Sequence, residues 1–257
     1  MLLYATLVVC AAVMGWLVYR YDLHDREPVS RLGLAVALGA AGMYVAGRAQ
    51  VWVLTMLGPW AARHWNASVS TAAGLSEEAA KLICVCIVAR SARRLFNDPM
   101  DGLIYGSFVG LGTAIEESVA MLAGQEPLRF LPVTEPVRLM GHLVMGGIGA
   151  AGLGPWSVGH PAWRWMAPAG WLGAVALHTG WDLVAFSAAD AGSMKAWHTA
   201  ASMALMLGGL LAYRALLGLL EPMSRTHFGR RASADVAAAV VESKEPSSEG
   251  SATEPLR

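Results

Sequence analysis

Seven apolar runs, at 2–20, 32–60, 68–90, 101–123, 136–156, 166–187 and 196–220, constrain this chain more than any other feature. A helix needs about 20 mostly apolar residues to cross a bilayer, and each run has roughly that length. The pattern predicts an all-α, polytopic membrane helical bundle with about seven transmembrane helices. Composition agrees: 55% of the residues are apolar, only 15% are charged, and mean hydropathy is +0.45, against about 25% charged in a typical soluble domain. The first run lacks a basic flank and a clear small-residue cleavage site, so it reads as a retained membrane helix. The second run is interrupted by Arg48 and Gln50 and is expected to be tilted, kinked or partly interfacial.

Residues 1–223 are expected to form the membrane domain. From residue 224 the chain turns rich in Ser, Glu and Pro, a composition expected of a disordered tail over 224–257. Net charge is zero, so overall charge gives no pointer to nucleic acid, and none is expected as a partner. The three cysteines, Cys10, Cys84 and Cys86, lie in apolar runs. They suit neither a disulfide framework nor a metal box.

Basic residues orient the spans. One alternate set of connections holds ten, Arg20, Arg26, Arg31, Arg90, Arg93, Arg94, Arg164, Arg225, Arg230 and Arg231; the other holds four, Arg63, Arg129, Arg138 and Lys195. By the positive-inside rule the first set is cytoplasmic. The N-terminus then lies outside and the tail inside.

This orientation bears on "GLSEEAAKLICVC", residues 74–86. Locally, Ser76 could cap a helix whose first turn carries Glu77 and Glu78. The apolar piece 82–89 would then cover only about 12 Å of a hydrocarbon core about 30 Å thick. The helix must therefore start near 67–70, which draws Glu77, Glu78 and Lys81 into the bilayer. Ionisable groups there are costly and are functional candidates by default.

Depth connects them to other spans. Counted from the outer ends of their helices at 1.5 Å per residue, Glu77 and Glu78 lie about 10–15 Å deep, Glu117 and His142 about 9 Å, Asp182 about 8 Å and His178 about 14 Å. Four helices thus bring polar groups to one slab in the outer half of the bilayer. Glu77 with Lys81, and His178 with Asp182, are i,i+4 pairs on shared faces. Glycines 102, 106, 110 and 112 on the fourth span and 141, 146, 147 and 149 on the fifth allow close helix contact. Glu116 is expected to be structural or to face an aqueous cavity. His24, His64, His160, His198 and His227 fall in loops or at helix ends and carry no assigned chemistry.

Carboxylates and histidines around one cavity suit hydrolysis. A glutamate can take a proton from water, and histidine can stabilise an oxyanion. The same residue types can build a zinc site from His142, His178 and Glu77, although no HExxH is present. A transporter or scaffold with a charged pocket is the non-enzymatic alternative.

In order along the chain, "YDLHDREPVSRL", "EEAAK", "DGLIYGSFVGLGTAIEES", "GHLVMGGIGAAGLG" and "LHTGWDLVAF" resemble the motifs of the PrsW-type intramembrane proteases. That family lies within the wider CAAX-processing and bacteriocin-processing superfamily, and the resemblance covers roughly residues 15–187. It departs at Thr113 and Ser118, where the family commonly has Phe and Asn, and at Asp182, where many members of the superfamily carry an amide. The resemblance implies a bacterial inner- or plasma-membrane endopeptidase that cuts a single-pass membrane protein, such as an anti-sigma factor, near its extracytoplasmic side. It implies catalytic Glu77, Glu78, Glu117, His142 and His178, supported by Lys81 and Asp182. Glu77 is expected to activate water with no cofactor required, with a zinc-dependent mechanism as the alternative.

Overall fold

The computed structural model describes residues 2–22, 24–123 and 130–242, with side chains described as far as residue 234. Among these residues the chain is all helical, with no strand: α1 (Leu2–Tyr19), α2 (Val29–Arg63), α3 (Trp65–Ser91), α4 (Asp101–Leu122), α5 (Thr134–Ala150), α6 (Leu153–Ser157), α7 (Trp163–Asp190) and α8 (Ala196–Glu242). Five segments are long and apolar enough to cross a membrane: α1, α2, Thr134–Ser157, α7 and the Ala196–Ala234 part of α8. Their outer faces carry large exposed apolar side chains such as Tyr44, Trp52, Leu172, Leu207 and Leu211, as lipid-facing helices do. The other two long helices, α3 and α4, carry enclosed carboxylates instead, Glu77, Glu78 and Asp101.

Helix α4 is the inner post of the bundle, packed against α5 and α2. The reason is sequence-local. Gly102, Gly106 and Gly110 recur every four residues, so they form one stripe along the helix. A Cβ at those positions would run into the backbone carbonyls of Ala150, Gly146 and His142 on α5. On the opposite flank, a Cβ at Gly112 would meet the Val36 carbonyl of α2, and one at Gly39 of α2 would meet that of Val109. Small residues let these backbones touch, so dispersion contacts replace the hydrophobic drive that is missing in lipid. The close helix contact expected from the glycines is therefore present, and it fixes His142 against α4.

The kink expected in α2 is present but displaced, and the start of the expected tail differs from the sequence expectation. Helix α2 passes Arg48 and Gln50 unbroken and bends further on, where Gly58 adopts φ +50° and ψ −126° just before Pro59. Only glycine accepts that backbone cheaply, and proline has no amide to continue the helical ladder. Helix α8 also continues through residue 224, where a disordered tail was expected, and remains helical to Glu242. Ser224 is fully buried and its Oγ donates to Asp98 at 2.8 Å. The alanine-rich stretch after it favours helix. The rest of the expected tail, 243–257, lies outside the described residues.

Ser224 belongs to a buried polar knot at the N-terminal end of α4. The Glu27 amide donates to Asp22 at 2.6 Å, and the Tyr105 hydroxyl donates to Glu27. The amides of Asn97 and Asp98 donate to Asp101 at 2.6 and 2.7 Å. The knot joins the α1–α2 linker, the α3–α4 loop, α4 and α8. It contains much of the linker motif and of the "DGLIYG" motif.

Candidate active site

At the other end of α4 the four inner helices bring the expected residues together. On α3, Lys81 ion-pairs with Glu78 at 2.5 Å, and both are almost fully enclosed. This corrects the expected Glu77–Lys81 pair. Positions i+3 and i+4 are both in reach on a helix. The ammonium goes to Glu78, the more enclosed carboxylate (1% exposed, against 7% for Glu77). Glu78 Oε1 also meets His178 Nδ1 from α7 at 2.7 Å. The approach of α7 to α3 depends on Gly74, one turn before Glu77 and Glu78, where a Cβ would collide with Thr179.

The other nitrogen of His178 faces two carboxylates: Nε2 lies 3.5 Å from Glu77 Oε2 and 3.6 Å from Asp182 Oδ2. The rings of His142 and His178 meet edge to face, with centroids 5.2 Å apart. His142 Nε2 lies 3.0 Å from Glu117 Oε2, the spacing of an ion pair without the alignment of a hydrogen bond. All seven residues singled out in the sequence, Glu77, Glu78, Lys81, Glu117, His142, His178 and Asp182, therefore form one connected cluster. Glu116, one residue from Glu117, makes no side-chain hydrogen bond or ion pair among the described residues.

A cavity of about 340 Å³ opens onto this cluster. Its polar wall includes Glu77, Glu117, Arg138, His142, His178 and Asp182; its apolar wall includes Leu177 and Phe186 of α7 and Leu205 and Met206 of α8. A chamber with one polar and one greasy side suits a peptide segment delivered from the membrane.

Three donor atoms, one each from Glu77, His142 and His178, lie within 4.8 Å of one another. Buried polar atoms are normally satisfied, yet Glu77 Oε2 and His142 Nδ1 have no hydrogen-bond partner among the described residues. Each histidine also has a carboxylate against its other nitrogen, Glu78 for His178 and Glu117 for His142. Metal-ligating histidines are held in this way, and two His with one Glu is a zinc donor set that leaves a fourth position open. The residues present therefore fit a divalent metal. The expectation that no cofactor is required sits uneasily with this arrangement.

Sequence reasoning missed Arg138 and Glu135. Arg138 counted only as an external loop charge, but it stands on α5 in the cavity wall. Its Nη1 donates to both oxygens of Glu135, at 3.1 and 3.0 Å, and its Nε lies 3.5 Å from Glu117 Oε1. The spacing of Glu135, Arg138 and His142, three and four residues apart, was the available signal, because such positions share a helix face.

Residues 27–213 match the family model described as PrsW family intramembrane metalloprotease. No curated protein and no solved structure matches the chain.

Proposed function

The chain belongs to the PrsW family of intramembrane metalloproteases, and from that premise we propose that it cleaves single-pass membrane proteins with a zinc ion held by Glu77, His142 and His178. It is a membrane-embedded peptidase, which sets aside the transporter and scaffold alternatives. The observation that carries the metal reading is the meeting of three buried donors, two of them unpaired, with a carboxylate behind each histidine.

When bound, zinc would lower the pKa of water to near 7 and polarise the scissile carbonyl. The protein's own groups do the remainder. Glu78, neutralised by Lys81, accepts the Nδ1 proton of His178, which leaves Nε2 as the free donor atom. Glu117, between Arg138 and His142, sets the second ring. Asp182 makes no hydrogen bond among the described residues, lines the cavity, and has its Oδ2 3.6 Å from His178 Nε2. It is the carboxylate free to accept a proton from the attacking water and pass it to the leaving amine. Glu77, the base of the sequence reading, becomes a ligand. The apolar wall of α7 and α8 takes the substrate's membrane segment.

Seven crossings, α1 to α5, α7 and α8, are part of this reading, with the N-terminus outside and the cluster in the outer half of the bilayer. The support is the bias of basic residues, ten against three once Arg138 is counted in the cavity wall, with the rule that they stay inside. An anti-sigma-factor-like substrate in a bacterial cell membrane rests on the motif resemblance. A chelator assay on purified protein, with a membrane-anchored reporter substrate, tests the chemistry. Activity that disappears with chelator and returns with zinc supports the proposal. Activity indifferent to chelator would return the mechanism to glutamate-activated water.

A further inference from the structure

Each histidine has a carboxylate and then a cation behind it, hydrogen-bonded behind His178 and at ion-pair distance behind His142, and only the first of these supports was visible in the motifs. Behind His178 stands Glu78 at 2.7 Å, and behind Glu78 stands the ammonium of Lys81 at 2.5 Å. Behind His142 stands Glu117 at 3.0 Å, and behind Glu117 stands the guanidinium of Arg138 at 3.5 Å. We propose that Arg138, clamped by Glu135, is the positioning residue that sets His142 through Glu117, as Lys81 sets His178 through Glu78. This inference rests on the metal reading above.

The two supports differ in exposure, and that difference explains why the second uses arginine. The side chains of Lys81 and Glu78 are 3% and 1% exposed, so packing already confines them. The Glu117 side chain is 28% exposed on the cavity, free to swing toward water unless it is held. A planar guanidinium can engage two carboxylates in fixed directions, which an ammonium cannot. Arg138 spends its Nη1 on both oxygens of Glu135, whose side chain is only 5% exposed. Its Nε lies 3.5 Å from Glu117 Oε1, an ion-pair distance. Arg138 sits one turn before His142 on the same helix, so ring and clamp move as one body. Near the cavity, Arg138 and Lys81 are the two cations of the cluster, and each has a carboxylate partner.

The test is zinc affinity of the full-length protein in detergent, measured by competition with a chromophoric chelator, alongside kcat and KM on a reporter substrate. Loss of a group that orients a metal ligand typically weakens metal binding about 10–100-fold, and Arg138→Met is expected to fall in that range. Its kcat should drop while KM stays near the wild-type value, and Arg138→Lys should recover only part of the loss. Glu135→Gln loosens the clamp without removing the cation and should shift affinity in the same direction by less; it serves if Arg138→Met does not fold. Zinc binding within twofold of wild type in both Arg138→Met and Glu135→Gln would overturn the inference while leaving the metal reading intact. A wild-type protein that binds no zinc, or binds it equally well as Glu77→Gln, would overturn the metal reading itself and this inference with it.

Discussion

Oε1 of Glu78 on α3 meets both Lys81 Nζ at 2.5 Å and His178 Nδ1 at 2.7 Å. One oxygen therefore joins a cation on its own helix to a ring on α7, 100 residues away. This contact makes the two glutamates of the "EEAAK" motif unequal. Glu78 is neutralised and fastens the helices, while Glu77 faces the cavity with no hydrogen bond to its Oε2 among the described residues.

Lys81→Met should therefore destabilise the protein strongly. Removing one partner of an enclosed ion pair leaves an uncompensated charge, at a cost of about 3–5 kcal/mol. The double variant Lys81→Met with Glu78→Gln should recover part of that loss, because an amide oxygen can still accept from His178. Thermal unfolding in detergent reads both. A loss in Lys81→Met below about 1 kcal/mol, the range of a surface pair, would contradict the account.

Asp182→Asn should lower kcat by about 10²–10⁴-fold, the usual contribution of a general base, with zinc content unchanged. Parallel loss of zinc would instead make Asp182 a ligand.

Gly110→Ala should cost about 1–3 kcal/mol, the range for overpacking, and should lower activity, because the new Cβ strikes the carbonyl of His142 itself. Gly208→Ala on α8 is the control. A Cβ there meets nothing, and alanine favours helix by about 1 kcal/mol over glycine. Equal unfolding temperatures for the two variants would argue against the tight α4–α5 crossing.

The knot at the far end of α4 should make stability depend on pH. Burial pushes the Asp22 carboxyl up to about 6 and the Glu27 carboxyl up to about 7, against the lowering effect of their hydrogen bonds. The folded protein then holds protons that the unfolded chain has released. Its stability is greatest below the ordinary carboxylate range and falls as pH rises through 6 to 7. Glu27→Gln should flatten that slope in unfolding curves taken between pH 5 and 8. An unchanged slope would place the titration elsewhere.

Span length and loop charge together predict a membrane position for Glu77, Glu78 and Lys81. Helix direction predicts the same depth for Glu117, His142, His178 and Asp182, and the structure brings all seven into one cluster. Side-chain partnering was less legible. On a helix i+3 and i+4 are near-equal choices, and His178, distant in sequence, decides for Glu78. Arg138 looked like a topology charge because its partner Glu117 lies on another helix. The break in α2 depends on Gly58 taking a positive φ before Pro59, not on the charged Arg48. Ser224 reads as the start of a polar tail until Asp98, 126 residues earlier, accepts its hydroxyl.

The most direct measurement is the metal content of the purified full-length protein, by elemental analysis, for wild type and for Glu77→Gln and His178→Ala. Wild type should carry about one zinc per chain, and both variants should lose most of it, with folding retained in Glu77→Gln. Wild-type protein that cleaves its substrate while carrying no stoichiometric metal would contradict the metal reading.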